Sequence, residues 1–246
     1  MKQSIIIILI LVLSNSYANA QYKCINIEYK TIETSSEGEQ MIYYSVLKDD
    51  GRASTYLQKD TSAYKGDMLQ TQIDKKKNSG LYINKLTDQL YMYSPIINKD
   101  FYILEDSLTS QFQWNIQNTA TKIIMGYTCK KASCFFRGRQ YEVFYTEQLP
   151  FFSGPWKICN LPGVVLEAKT IDNRLKISAY SVRLEDSDSF IVNPYLDKNI
   201  NFGSFIQYKV ILRKVLNNLQ KKVQAEEKEE EGGWISIDDT AVEIIK

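Results

Sequence analysis

Short runs of alternating apolar and polar residues extend from Tyr22 to about Glu185, and turn residues separate them. Asp and Asn tolerate left-handed backbone, and Gly supplies the positive φ that tight hairpins need. Since no helical period interrupts the runs, the pattern predicts a mainly β fold rather than a parallel α/β fold. We expect an antiparallel meander that forms a curved sheet or half-barrel. The predicted hairpin turns are Asp49-Asp50-Gly51, Leu86-Thr87-Asp88, Arg137-Gly138-Arg139 and Asp172-Asn173.

The pattern changes after about Ser187, where apolar residues recur near the helical period. They are Phe205, Tyr208, Val210, Ile211, Val215 and Leu219. Charged residues lie on the opposite face, so we predict a C-terminal amphipathic helix. Asn201 is the expected N-cap, with the first turn beginning there or one or two residues later. An acidic run follows this helix, and Gly232-Gly233 come after it.

The first twenty residues have the three parts of a secretory signal peptide. Lys2 precedes the apolar run Ile5–Leu13, and Ala18-Asn19-Ala20 follows as the cleavage motif. The apolar run is shorter than the roughly 20 residues that span a bilayer. We therefore expect cleavage near Ala20 and a periplasmic or secreted protein with no membrane span. The predicted organisation is a signal peptide at 1–20, a β domain at 21–186, a linker and helix with an acidic end at 187–231, and a tail or short strand at 232–246.

Charge and composition restrict the chemistry. Without Lys2, the remaining basic residues equal the 29 acidic ones, so no overall field favours nucleic acid. The chain contains no histidine, which excludes Ser-His-Asp, Cys-His and HExxH sites. We expect neither a metal nor another cofactor.

The four cysteines are Cys24, Cys129, Cys134 and Cys159. An even number in an exported chain favours disulfides, with three possible complete pairings. Zinc is the rival, but these spacings lack its signature. Cys129 and Cys134 lie five residues apart, so a regular strand would place them on opposite faces. A Cys129–Cys159 bridge would tie the turn segment before Val164 to the sheet, and it would leave Cys24 and Cys134 as a second candidate pair.

The stretch from Leu149 to Asn160 is too apolar for a free loop, and we expect it to lie against the sheet. Phe151, Phe152 and Trp156 are its predicted anchors, and together with Trp114 they are candidates for an apolar ligand groove. Gly154-Pro155 marks one bend. Pro162 and Gly163 predict a type II turn over Leu161–Val164, which leads into a strand from Val164 to Ile171. This turn has no side chain suited to catalysis, so we interpret it as structural.

Residues 126–168 closely resemble the core of the GLPGLI family, secreted envelope proteins of one Gram-negative phylum. The resemblance implies a β-rich exported protein and implies no reaction. Asn160 stands where that family usually has Gly, and Val164-Val165 replace Leu-Ile. Asn is the non-glycine residue that best tolerates positive φ, so a backbone role is indicated for Asn160. The matching pieces are Gly126-Tyr127, Cys129, Lys131-Ala132, Phe136–Arg139, Tyr145-Thr146, Leu149-Pro150, Gly154–Lys157 and Leu161–Gly163.

The favoured function is a non-enzymatic envelope protein whose sheet binds an apolar or peptide ligand or another envelope protein. By fold analogy alone, a curved sheet with a helix resembles the half-barrels that carry lipids or lipoproteins. The alternative is a carboxylate-dependent periplasmic hydrolase, which needs two carboxyl groups in one pocket. Its candidates are the adjacent pairs Asp49-Asp50, Glu105-Asp106, Glu185-Asp186 and Asp238-Asp239.

Overall fold

The computed structural model describes residues 24–36, 38–59, 80–94, 96, 100–186, 190–196 and 200–226. The predicted signal peptide, most of the acidic run and the C-terminal tail lie outside these residues. None of the described helices is long and apolar enough to cross a bilayer.

The described residues form strands and one α-helix. The strands are β1 (Cys24–Thr34), β2 (Gln40–Asp49), β3 (Ala53–Gln58), β4 (Leu81–Asn84), β5 (Gln89–Tyr93), β6 (Tyr102–Asp106), β7 (Asn115–Ile124), β8 (Tyr127–Phe136), β9 (Arg139–Thr146), β10 (Val164–Thr170), β11 (Leu175–Glu185) and β12 (Phe202–Gly203). The helix α1 spans Phe205–Glu226, and a 3-10 turn spans Thr109–Gln111.

All twelve strands belong to one open sheet, in the order β12-β6-β5-β4-β3-β2-β1-β11-β10-β9-β8-β7. Every neighbouring pair is antiparallel except β12 and β6. Strands β2–β6 and β7–β11 form two meanders, and β1 joins them by pairing with both β2 and β11. The predicted fold class, a mainly β antiparallel sheet with a C-terminal helix, is confirmed.

The predicted hairpin turns have the predicted backbone. Gly51 has φ +85°, Asp88 +52°, Gly138 +82° and Asn173 +58°. Each turn lies between two paired strands. Residue types that accept left-handed geometry therefore mark the hairpins correctly.

One face of the sheet is filled by the chain itself. Ile27 and Tyr29 of β1, together with Val143 of β9, are fully buried there. The segment between β9 and β10 packs onto this core through Leu149, Phe151, Ile158 and Leu161. The prediction that this segment lies against the sheet is confirmed.

A smaller aromatic cluster includes residues of β3–β6. Tyr82 alternates with Leu81 and Ile83 of the main core, so its side chain points to the opposite face. Tyr195 packs against Tyr82 and donates its hydroxyl to the Gly80 carbonyl oxygen. Residues 190–196 and 200–203 thereby cover part of the second face.

Helix α1 begins later than predicted. The Ser204 hydroxyl accepts a hydrogen bond from the Gln207 backbone N–H (3.2 Å), and the Gln207 side chain accepts one from the Ser204 N–H (2.9 Å). This is a capping box, so Ser204 replaces Asn201 as the N-cap. The reason is tertiary, because the preceding residues 202–203 are held extended by pairing with β6.

Cations and rings fasten the start of α1 to the sheet. The Phe205 ring lies 3.7 Å from the Arg137 guanidinium carbon and 4.7 Å from the Lys157 ammonium nitrogen. The Tyr208 ring lies 5.4 Å from that of Phe101. Lys157 is fully buried, and its ammonium also lies 5.0 Å from the centre of the Trp156 ring.

Candidate functional site

A cleft of about 550 Å³ opens between the filled core and one end of the β2–β5 hairpins. The turns after β2 and β4 form one wall, and residues 152–162 form the other. Thr109 of the 3-10 turn also contributes to the lining. The lining residues are Gly51, Ser54, Ile83, Lys85, Leu86, Asp88, Thr109, Phe152, Ser153, Gly154, Ile158, Cys159, Asn160, Leu161 and Pro162.

The wall at 152–162 is fixed to the sheet by backbone contacts. The Val165 N–H donates to the Ser153 carbonyl oxygen (2.9 Å), and the Ile158 N–H donates to that of Pro155 (3.2 Å). A Cβ on Gly154 would lie 2.9 Å from the Ile158 carbonyl oxygen, so a larger residue has no room. Proximity to the main chain therefore explains the glycine at this bend.

Asn160 has the predicted positive φ, at +64°. Its side chain has a further task, since the amide nitrogen donates to the carbonyl oxygens of Thr109 (3.1 Å) and Phe112 (3.2 Å). Asn160 thus joins the cleft wall to the turn before β7. The sequence offered no signal for this contact, because its partners are main-chain atoms roughly fifty positions away.

The Pro162–Gly163 turn is tighter than the predicted type II turn. The Gly163 N–H donates to the Leu161 carbonyl oxygen (2.8 Å), which closes a three-residue turn around Pro162. Gly163 has φ +156°, and a Cβ there would lie 2.1 Å from the Thr146 carbonyl oxygen. The close approach of Gly163 to the end of β9 decides this geometry. Local turn preferences do not predict it, because they take no account of contacts with a distant strand.

The polar groups of the cleft are mostly held in place. The Asp88 carboxylate accepts from the backbone N–H (3.0 Å) and hydroxyl (2.7 Å) of Thr109. The Lys85 ammonium pairs with the fully buried Asp49 carboxylate at 2.5 Å. The buried Ser153 hydroxyl has no hydrogen-bond partner within the described part of the chain. The cleft therefore offers a fixed carboxylate and a largely neutralised cation, while the Ser153 hydroxyl is closed off from it.

Two apolar side chains project into solvent at the cleft rim. Phe152 is 60% exposed on one wall, and Leu86 is 77% exposed on the other. Exposure of a large apolar side chain beside a concave site is typical of a ligand contact.

The four predicted groove residues do not form one groove. Phe151 is buried in the core, whereas its neighbour Phe152 lines the cleft. Trp156 packs against Phe136 and stacks on Tyr141. Trp114 donates its indole N–H to the Cys159 carbonyl oxygen (2.8 Å) and stacks on Phe112. Both tryptophans thus pack at the main core and are not among the cleft lining.

All four cysteines are buried free thiols in the structure, in place of the two predicted disulfides. Burial raises the pKa of Cys134 and of Cys159 to about 12, and that of Cys129 to about 11. Cys129 and Cys134 are both buried members of the main core. Thiols with such pKa values are poor nucleophiles near neutral pH.

Three acidic residues of the hydrolase hypothesis have other contacts. Asp49 is buried in its ion pair, and the Asp50 carboxylate accepts three backbone N–H groups at the β2–β3 turn. Glu105 pairs with Arg137. Among the described residues that line the cleft, Asp88 is the only carboxylate. Asp238-Asp239 lies outside the described residues.

No group of three or more potential metal ligands occurs within the ranges that the structure describes.

Comparisons with known proteins identify a family and a similar fold. Residues 45–209 match the family described as N-glycanase peptide, N-terminal domain. The chain is similar to PNGF-II in two crystal structures, in space groups C2 and P21, with TM-scores of 0.55 and 0.54 and 18% identity. Each match covers 78% of this chain and 33% of PNGF-II, so the chain spans about a third of that protein's length.

A LolA superfamily protein from Nitrosomonas europaea also matches, with a TM-score of 0.31 and 8% identity. That match covers 68% of this chain and 88% of the other, and so low a score gives no support to the carrier analogy. No curated protein sequence matches the chain. The resemblance to the GLPGLI family stays a prediction. Because the family model covers more than half of its residues, the chain belongs to the family of N-glycanase peptide N-terminal domains.

Proposed function

We propose that this protein is an exported, non-catalytic binding module that holds a glycan-bearing ligand in the cleft beside Pro162. The observation that carries the proposal is the cleft itself, with exposed Phe152 and Leu86 at its rim and hydrogen-bonding groups inside. Its volume of about 550 Å³ falls within the range of small-molecule sites. The family description, which refers to an N-glycanase, supports a glycan as the ligand.

The chemistry of the cleft suits a sugar better than a lipid. A sugar ring has an apolar C–H face that packs on an aromatic ring, and hydroxyl groups that need hydrogen-bond partners. Phe152 offers such a ring, and the Asp88 carboxylate offers a hydrogen-bond acceptor. A fatty acyl chain has no donor for the acceptor positions of Asp88 that Thr109 leaves open, whereas a sugar hydroxyl has one.

Export of the protein, with cleavage near Ala20, is part of the proposal. The leader pattern in the sequence supports it. Mass spectrometry of the exported form should give a chain that begins at or within a residue or two of Gln21. Recovery of the soluble protein with Met1 intact would contradict export by this route.

The binding test is a thermal-shift titration with three probes: a high-mannose N-glycopeptide, the same peptide without its glycan, and palmitate. A ligand at one hundred times its Kd stabilises the folded state by about 2.7 kcal/mol. Each kcal/mol shifts Tm by about 2–4 °C for a domain of this size. We expect the glycopeptide alone to raise Tm.

A matched pair of variants assigns the effect to the cleft. Phe152→Ala should weaken glycopeptide binding, whereas Phe135→Ala removes a ring that is 71% exposed but does not line the cleft. Equal glycopeptide binding by both variants would show that the ligand does not bind in the cleft. A shift with palmitate or with the bare peptide would favour an apolar or peptide ligand instead.

The non-catalytic part has its own test. The glycopeptide is incubated with the protein and its mass is followed. An unchanged mass is the expected result, and release of the glycan or cleavage of the peptide would show an enzyme.

A further inference from the structure

A second, smaller pocket adjoins the cleft on the far side of Leu86. It has a volume of about 210 Å³, and Leu86 lines both spaces. The β2–β3 turn also contributes to both, through Gly51 in the cleft and Arg52 in the second pocket. The two spaces are therefore neighbours, with Leu86 and the β2–β3 turn between them. The lining residues of the second pocket are Asp50, Arg52, Ala53, Tyr82, Asn84, Leu86 and Ile191.

Arg52 is the cation of this pocket, and its guanidinium packs over an aromatic ring. The guanidinium carbon lies 3.6 Å from the centre of the Phe190 ring, so one planar face is stacked. The side chain remains 48% exposed. Stacking leaves the N–H donors at the edge of the guanidinium plane, where a planar oxyanion can be bound by two of them.

The neighbouring Asp50 carboxylate does not form a hydrogen bond with the Arg52 guanidinium. Its closest approach to the guanidinium is 3.8 Å, beyond a good hydrogen bond. Its oxygens instead accept the backbone N–H groups of Arg52 (2.9 Å), Ala53 (2.8 Å) and Ile191 (2.8 Å). Asp50 is therefore bound to the turn, and the donors of Arg52 stay available.

Two neutral donors complete the pocket. The Asn84 side-chain oxygen accepts the N–H groups of Leu86 (3.0 Å) and Thr87 (3.3 Å), which leaves its NH₂ group for a ligand. Burial and the nearby Asp50 raise the pKa of Tyr82, so its phenol remains protonated at neutral pH.

We propose that this pocket is an anion subsite, in which Arg52 binds a carboxylate or sulfate carried by a sugar residue next to the one in the cleft. The cleft supplies the neutral subsite, and Leu86 separates the cleft from the anion subsite. This inference rests on the proposed function in so far as one glycan is to occupy both the cleft and the second pocket. The recognition of the anion by Arg52 is tested separately. The shared chemistry is a planar or tetrahedral oxyanion on a small ring.

The experiment is an NMR titration of the ¹⁵N-labelled protein at constant ionic strength. The probes are sodium glucuronate, glucose 6-sulfate and glucose. We expect the amide signals of Arg52, Ala53 and Asn84 to shift saturably with an acidic sugar and to stay in place with glucose. Binding of glucuronate alone identifies the carboxylate as the source, and binding of glucose 6-sulfate alone identifies the sulfate ester. Equal shifts with glucose would overturn the subsite.

Charge-matched variants complete the test. Arg52→Ala should weaken binding of the acidic sugar about tenfold or more, because a hydrogen-bonded charge pair is lost. Arg213→Ala, which removes an exposed cation from α1, should leave binding unchanged. Arg52→Lys keeps the positive charge but loses the paired N–H donors and the stacking on Phe190. Its affinity for the acidic sugar should therefore fall between that of the wild type and that of Arg52→Ala. Unchanged affinity in Arg52→Ala would overturn the assignment.

The outcomes also separate this inference from the proposed function. Phe152→Ala should not affect glucuronate binding, because Phe152 lines only the cleft. An acidic sugar that binds while the N-glycopeptide does not would leave the anion subsite standing and refute the glycan cleft. The reverse result would leave the cleft standing and refute the subsite.

Discussion

Replacing Gly163 by alanine adds one carbon atom where the main chain of β9 leaves no space. The new Cβ would lie 2.1 Å from the Thr146 carbonyl oxygen, 2.7 Å from its carbon and 3.1 Å from the Glu147 nitrogen. All three are backbone atoms at the end of β9 or directly after it, so none can swing aside as a flexible side chain would. The backbone at φ +156° is also unfavourable for any residue with a side chain.

Two contributions give the magnitude. A non-glycine residue in a strained backbone region costs about 1–3 kcal/mol. Forcing an extra carbon into a packed region costs about 1–3 kcal/mol. Together they predict a loss of about 2–6 kcal/mol from the free energy of unfolding, a large share of the roughly 5–15 kcal/mol of a typical domain. Gly163→Val should be at least as destabilising.

Urea denaturation of the folded protein measures this loss, with the m value checked for each variant. Gly126→Ala is the control, because Gly126 has φ +85° and nothing within 4 Å of the added Cβ. It should cost only the backbone contribution of about 1–2 kcal/mol. Pro162→Ala should cost less, about 0.4–1 kcal/mol. A loss in Gly163→Ala no larger than that in Gly126→Ala would refute the close-approach argument.

Three further predictions concern the wall, the thiols and an ion pair. Asn160→Gly keeps the positive φ but removes two side-chain hydrogen bonds, so it should cost about 1–3 kcal/mol, and Asn160→Ala should cost more. In the folded protein, iodoacetamide at neutral pH should leave the buried Cys129, Cys134 and Cys159 unlabelled, and unfolding without reductant should label all three. Burial raises the pKa of Glu28, but hydrogen bonds from Lys59, Tyr180 and Arg183 outweigh burial and lower that pKa to about 2. Glu28 therefore contributes up to about 3 kcal/mol above the unfolded pKa, and this contribution is lost as the pH falls towards 2.

Each of these has a contradicting result. Equal stability of the two Asn160 variants would mean that backbone conformation does not matter there. Thiols that stay unlabelled after unfolding, and become labelled only with reductant, would restore the predicted disulfides. For the ion pair, Glu28→Gln should lose less stability than the wild type as the pH is lowered. Parallel plots of stability against pH for the two proteins would mean that Glu28 does not contribute to the acid sensitivity.

The sequence determined what depends on neighbouring residues. Alternation and turn chemistry located the hairpins, because strand faces have a period of two and Gly, Asn and Asp accept positive φ. The left-handed backbone of Asn160 follows from the same local rules. The apolar character of residues 149–160 also indicated that this segment covers the sheet.

Tertiary structure decided what depends on distant partners. The pairing of β1 with β11 joins positions such as Cys24 and Glu185, which no local pattern connects. The pairing of residues 202–203 with β6 moved the helix start to Ser204. Phe151 and Phe152 are adjacent and chemically identical, yet only the packing of the whole segment turns one into the core and the other to the cleft. The cleft arises where two hairpin turns meet that segment, so its residues come together only in the folded chain.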